Sequence, residues 1–149
     1  MNLMENVTAV DTTLFFHQGR WWLFTGMPPR ERDLPFAELY LFYSVDLFSR
    51  EWRPHPLNPI VTDLQKSRPA GSIFSRDGKI YRPSQDCSKT YGHGFDLNEI
   101  LVLSETEYRE TTAVSVRPDW DKKVVAAHTF AYQGGLTVID AFMERPKFF

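Results

Sequence analysis

The chain has 149 residues, enough for one ordinary domain, and its 42% hydrophobic and 24% charged content excludes wholesale disorder. A formal net charge of −2 leaves no basic field for phosphate backbones, so no nucleic acid partner is expected. An aromatic share of 15% and ten prolines favour strands over long helices.

The opening MNLMENVTAV has neither the basic n-region nor the apolar h-region of a secretory signal. No apolar run reaches the length of a membrane span. Cys87 is the single cysteine, so no internal disulfide can form and a cytoplasmic setting is expected.

In chain order, three segments share one pattern, an apolar run, a glycine turn and a second apolar run. They are TTLFFHQGRWWLF (12–24), GSIFSRDGKIYRP (71–83) and TFAYQGGLTVI (129–139). Each reads as a β-hairpin turning at Gly19, Gly78 or Gly134, because glycine accepts a positive φ at no steric cost. Aligned on those glycines, Asp11 corresponds to Ala70 and Ala126, and His128 to Thr13 and Ser72. A second unit also repeats: ELYLFYS (38–44) and NEILVLS (98–104) read as strands, followed by extended stretches at 49–55 and 108–117.

Two hairpins in roughly sixty residues make a four-stranded antiparallel propeller blade. An immunoglobulin-like sandwich is the rival, but sandwiches do not usually repeat a four-strand unit with matched turns. The expected fold is therefore all-β, a partial β-propeller of about two and a half blades. Blade one covers 9–60, blade two 68–118 and a half blade 126–141, within one domain of 1–149. Loops at 26–37 and 84–95 supply the extra length of the repeat. Such an arc cannot close alone, because it leaves a strand edge and an apolar face open. Either a missing N-terminal half-propeller or a second copy in a homodimer is expected to complete it, burying Phe15, Trp21, Trp22, Leu41 and Phe130.

The strings LFFHQGRWWLFTG, LYLFYS, REWRPHPLNPIV, SRPAGSIFSRDGKIYRPSQDCSKTYGHGFDLNEI and HTF with GGLTVID resemble one propeller family. It is the domain N-terminal to the glycosyltransferase in plant glucosamine inositolphosphorylceramide transferases. The resemblance runs from about Val10 to Asp140 and looks like the C-terminal half of that domain. The family is similar in architecture to the five-bladed propellers of furanosidase-type glycoside hydrolases. It implies a carbohydrate-binding or carbohydrate-processing module in glycolipid or surface-polysaccharide biosynthesis, with a carbohydrate or glycolipid as ligand. A split or degraded glycoside hydrolase and a non-catalytic interaction propeller are the alternatives, so whether the chain is an enzyme stays open.

Asp11 resembles the carboxylates that begin innermost strands in furanosidase-type propellers, where a retaining glycosidase needs two carboxyls about 5 Å apart. A turn or strand-capping role is the plainer reading. Arg68, Arg82, Gln85 and Asp86 form the densest polar group. They suit sugar hydroxyls or a phosphate, or else a network tying the 84–95 loop to its blade. His128 fits either a channel-facing ligand group or a hydrogen-bonded core residue. Cys87 reads as a buried structural thiol, with His93 on a Gly-His-Gly turn nearby. Trp21 and Trp22 face opposite sides of one strand and read as core, while Trp52 and Trp120 are freer to stack on sugars. Glu99 and Asp140 read as edge or rim charges, and His17 and His55 receive no role. No P-loop, dinucleotide or zinc spacing is present, so no metal and no cofactor is expected.

Overall fold

The computed structural model describes residues 2–29 and 38–145. Residues 30–37 of the expected 26–37 loop lie outside the described residues. Among the described residues there is no helix. The first sheet is β1 (Val10–His17), β2 (Arg20–Met27), β3 (Glu38–Ser44) and β4 (Arg53–Pro54), antiparallel and in that order. The second contains β5 (Arg68–Pro69), β6 (Phe74–Arg76), β7 (Lys79–Asp86), β8 (Gly94–Leu103) and β9 (Tyr108–Val116). There β5 and β6 both pair with β7, acting as one interrupted strand. The third unit is the hairpin of β11 (Phe130–Gln133) and β12 (Leu136–Ile139), beside a small ladder of β10 (Val124–Ala126) and β13 (Phe142–Met143). The fold is the all-β partial propeller that the repeat implies.

Each hairpin closes through two residues of positive φ: Gln18 and Gly19 (49° and 74°), Asp77 and Gly78 (51° and 75°), Gly134 and Gly135 (59° and 85°). This double left-handed geometry matches the right-handed twist of the flanking strands. It also corrects the third alignment, because Gly135 and not Gly134 is the partner of Gly19 and Gly78. Ala127 and His128 then match Asp11 and Thr12, one position from the sequence-based assignment.

Strand alternation divides the core. On one side of the second sheet, Ile80, Ile100, Leu103 and Tyr108 pack with Trp22, Phe24, Leu39 and Leu41 of the first sheet. On the other side, Phe74, Tyr81, Phe95 and Leu97 pack with Ala127, Phe130 and Tyr132 of the third unit. Burying each large apolar side chain contributes about 1.5–3 kcal/mol. The second sheet is thus the middle layer.

The apolar residues expected to lie open do not. Trp22, Leu41 and Phe130 are buried and Phe15 is half-buried because neighbouring sheets of the same chain cover them, while Trp21, on the other face of β2, is half-buried against Phe16. Exposed apolar groups among the described residues include Leu14 and Phe16 on the opposite face of the first sheet, and Leu136, Val138 and Ile139 along β12.

The fourth strand of the first sheet is short because Pro54 and Pro56 lack the N–H a ladder needs. Asn58 takes over its role: its side chain accepts from Leu41 N at 2.8 Å and donates to Leu41 O at 2.7 Å. Trp52 is buried, whereas Trp120 is exposed.

Candidate functional site at the open ends of the hairpins

Both first strands are irregular on the side away from their turns. In β1 the register shifts between Val10 and Thr13, and Asp11 takes a φ of +52°, an uncommon conformation for a residue with a Cβ. The bulge re-aims Asp11, whose Oδ2 accepts from Arg68 Nε at 2.6 Å. Arg68 lies directly opposite Gln85 in the β5–β7 ladder. Gln85 is buried, and its Nε2 donates to Pro69 O at 2.9 Å and to Asp11 Oδ2 at 3.4 Å.

The array continues outward from Arg68. Its guanidinium lies 4.7 Å from the centre of the Tyr91 ring, a cation–π arrangement. Tyr91 sits 5.5 Å, centre to centre, from the His128 imidazole. His128 Nδ1 contacts Asp140 Oδ2, and Asp140 Oδ1 accepts from the backbone N–H groups of His128 and Thr129, each at 2.8 Å. Burial alone would raise the Asp140 pKa, but the two N–H donors and His128 hold it below the usual carboxylate range. Asp140 is therefore a fixed acceptor rather than a loose rim charge.

Asp11, Arg68, Gln85, His128 and Asp140 all occupy the ends of hairpins opposite the turns. The loop between β7 and β8 brings Tyr91 to them. Gly92 makes the approach possible with a φ of +63°; a Cβ there would stand 2.6 Å from His128 Cβ. The backbone also joins, with Ala127 N donating to Gly92 O at 3.2 Å.

Arg82 and Asp86 belong elsewhere. Strand alternation places both on the face of β7 opposite Gln85. They stand four residues apart along one strand, about 13 Å at ~3.3 Å per residue, so they do not pair. Arg82 is fully buried; its Nε and Nη2 bond to Glu110 at 2.8 and 2.6 Å, and its Nη2 also donates to Lys66 O at 2.9 Å. Tyr108 donates to the same carboxylate. Burial would lower the Arg82 pKa, but Glu110 and Tyr108 raise it above the usual value, so the guanidinium stays charged. Asn98 bridges Ser84 Oγ and Arg82 O, completing an internal polar layer.

Asp86 accepts from Ser88 N and Oγ at 3.0 and 2.6 Å and pairs with Arg117 at 3.0 Å. Arg117 also pairs with Asp96 at 2.9 Å. Arg82 is thus a structural cation, and Asp86 anchors the 87–93 loop. The partly buried thiol of Cys87 lies 4.0 Å from Gln85 Oε1. Glu99 holds Lys79 at 2.8 Å. Among the described residues, no three His, Cys, Asp or Glu side chains cluster in a way that would hold a metal.

Sequence reasoning missed Tyr91. The available signal was an aromatic next to glycine in a loop between strands, and the ring is 59% exposed. It also missed Arg117 and Glu110, because long-range pairing is invisible in local spacing.

Fold and site together define a propeller-type module with an open polar and aromatic site at one end of its hairpins. The chain belongs to the family described as glucosamine inositolphosphorylceramide transferase 1, N-terminal, which it matches over residues 2–138. It is 37% identical over 103 residues to glucosamine inositolphosphorylceramide transferase 1 of Oryza sativa subsp. japonica, covering 68% of this chain and 14% of that protein. It is 36% identical over 107 residues to the Arabidopsis thaliana protein of the same name, covering 68% of this chain and 13% of that protein. The chain thus spans about one seventh of the curated relatives it matches. In fold it is similar to the Bombyx mori GH32 β-fructofuranosidase BmSUC1, with a TM-score of 0.50 and 19% identity. That match covers 89% of this chain and 29% of the silkworm chain. Among the described residues, no helix is long and apolar enough to cross a membrane.

Proposed function

We propose that the chain is the carbohydrate-recognition part of a propeller module serving a glycosyltransferase pathway, and that it takes a sugar or glycolipid headgroup at Asp11, Arg68, Gln85, Tyr91, His128 and Asp140. One observation carries this reading: three separate hairpins deliver these groups from the same end into one contiguous array. Carboxylate acceptors, guanidinium and imidazole donors and an exposed ring make a set suited to a polyol with an apolar face. The family's association with glycolipid synthesis supports the same ligand class.

Recognition is favoured over hydrolysis. A glycosidase needs a carboxylic acid with a raised pKa to protonate the leaving group. Asp140 is shifted downward instead, and Asp11 is paired with Arg68. The test pairs an aryl-glycoside assay with calorimetric titration by neutral hexoses. Saturable heat that Tyr91→Ala abolishes, with no aryl release, is the expected result. Turnover of the aryl glycoside sinks the reading.

Closure of the arc belongs to the same proposal. The exposed β12 and the Leu14 and Phe16 face suit completion by an upstream half-propeller or by a second copy. Light scattering at micromolar concentration separates a homodimer from a monomer awaiting its other half. A cytoplasmic setting is part of the proposal as well, resting on the single thiol of Cys87.

A further inference from the structure

The loop between β7 and β8 has two sides. Tyr91 faces the array described above. Lys89 and His93, each two residues away, line a cavity of about 400 Å³ with Gln65, Asp86, Arg117 and Asp119. That volume lies in the ~300–1,000 Å³ range of small-molecule sites.

The cavity floor is rigid. Asp86 and Asp96, both buried, hold the Arg117 guanidinium between them at 3.0 and 2.9 Å. Arg117 also donates to the carbonyls of Phe95 and Val116. Gly94 permits this crossing, since a Cβ there would stand 2.5 Å from Val116 O and 2.9 Å from Arg117 Cδ. The rim is different in kind: Lys89 and Asp119 are exposed and free to adapt. Among the lining residues, Asp86 and Asp119 offset Lys89 and Arg117. A charge-balanced wall rich in both donors and acceptors suits neutral hydroxyl groups better than an anion.

Two residues of extended chain span at most ~7 Å, so the cavity and the Tyr91 array are neighbours. We propose that the cavity is a second saccharide subsite adjoining the first, and that the ligand is a neutral saccharide longer than one ring, lying across the 87–93 loop. This inference rests on the carbohydrate-recognition reading above.

The test is amide NMR titration of the full chain with glucose, galactose and mannose, and with maltose, lactose and mannobiose. At least one disaccharide is expected to bind tenfold or more tightly than its monosaccharide, shifting the amides of both Tyr91 and Arg117. Asp119→Ala should remove that tenfold gain while leaving monosaccharide affinity unchanged. Lys89→Ala is the second exposed variant, and thermal melts check that both keep the fold. A disaccharide that binds no better than its monosaccharide, with the Arg117 side unmoved, overturns the second subsite and leaves the first standing. Binding of inorganic phosphate in the cavity in preference to every sugar also overturns it. If no sugar shifts either side, both readings fall.

Discussion

Arg68 donates from Nε to Asp11 Oδ2 at 2.6 Å across 57 residues of chain, joining the first strand of one sheet to the first strand of the next. Both side chains keep contact with solvent, at 19% and 36% exposure. Such a pair contributes roughly 0–1 kcal/mol to stability. Its importance is geometric: it ties the left-handed Asp11 to the guanidinium that lies over the Tyr91 ring.

Asp11→Ala should cost no more than about 2–3 kcal/mol of denaturation free energy, because it loses a partly solvated pair and the 3.4 Å bond from Gln85 and sets an alanine at a φ of +52°. Sugar affinity should fall at least tenfold. Urea melts and calorimetry on the same samples check this. A large stability loss with affinity unchanged would make Asp11 a strand cap and nothing more.

The buried pair of Arg82 and Glu110 should behave in the opposite way. Their side chains are 1% and 9% exposed, and removing one partner strands a charge inside the protein. Arg82→Gln should cost about 3–5 kcal/mol in urea denaturation. The double replacement Arg82→Met with Glu110→Leu should recover most of that loss, since it removes both charges together. If the double variant is no better than the single, the cost lies in packing rather than in charge.

Much of the fold was legible because its signals are local. Gln18-Gly19, Asp77-Gly78 and Gly134-Gly135 announce two-residue turns, and the alternation in Glu38–Ser44 and Tyr108–Val116 announces strands. The site was only partly legible. Density along the chain grouped Arg68 and Gln85 with Arg82 and Asp86, but alternation sends the two pairs to opposite faces. The bulge at Asp11 depends on how β1 meets β2 and leaves no mark in composition. His128 was found as a candidate one register position off, because either glycine of a Gly-Gly turn can serve as the alignment point. Tyr91 enters the site only through the close approach of Gly92 to His128, which is a tertiary fact.

Gly92→Ala tests that approach directly. The added methyl would stand 2.6 Å from His128 Cβ and 3.0 Å from its Cγ, and the backbone φ of +63° disfavours a side chain in any case. The loop and His128 should separate, with sugar affinity lost tenfold or more. The sheets should survive, because the packing of Phe74, Phe95 and Phe130 does not involve Gly92. Circular dichroism and the His128 imidazole resonances report the two effects separately. An unmoved His128 resonance together with parental affinity would show that the contact is not needed.

The last expectation concerns acid. His55 is 2% exposed and joins the first two sheets, with Nε2 3.1 Å from Ser104 O. A carbonyl accepts only, so Nε2 carries the proton, and Nδ1 accepts from Leu57 N at 3.2 Å. Protonation would place a charge in a dry site and set an Nδ1–H against the Leu57 N–H. Burial accordingly lowers the His55 pKa below 6.5, although the bond to Ser104 pulls the other way. The folded state then binds fewer protons than the unfolded state, so stability rises with pH across this window. The contribution is complete above the unfolded value of ~6.5 and drains away as pH falls toward the folded value, at up to ~1.36 kcal/mol per pH unit. The downward shifts of Asp86 and Asp140 act in a separate window, below about pH 3.8. Urea melts between pH 5 and 7 should show the slope in the parent chain. His55→Gln should be less stable at pH 7 yet show a shallower slope, because its amide can donate to Ser104 O but does not titrate. An equal slope in both proteins would show that His55 is not the source of the acid sensitivity.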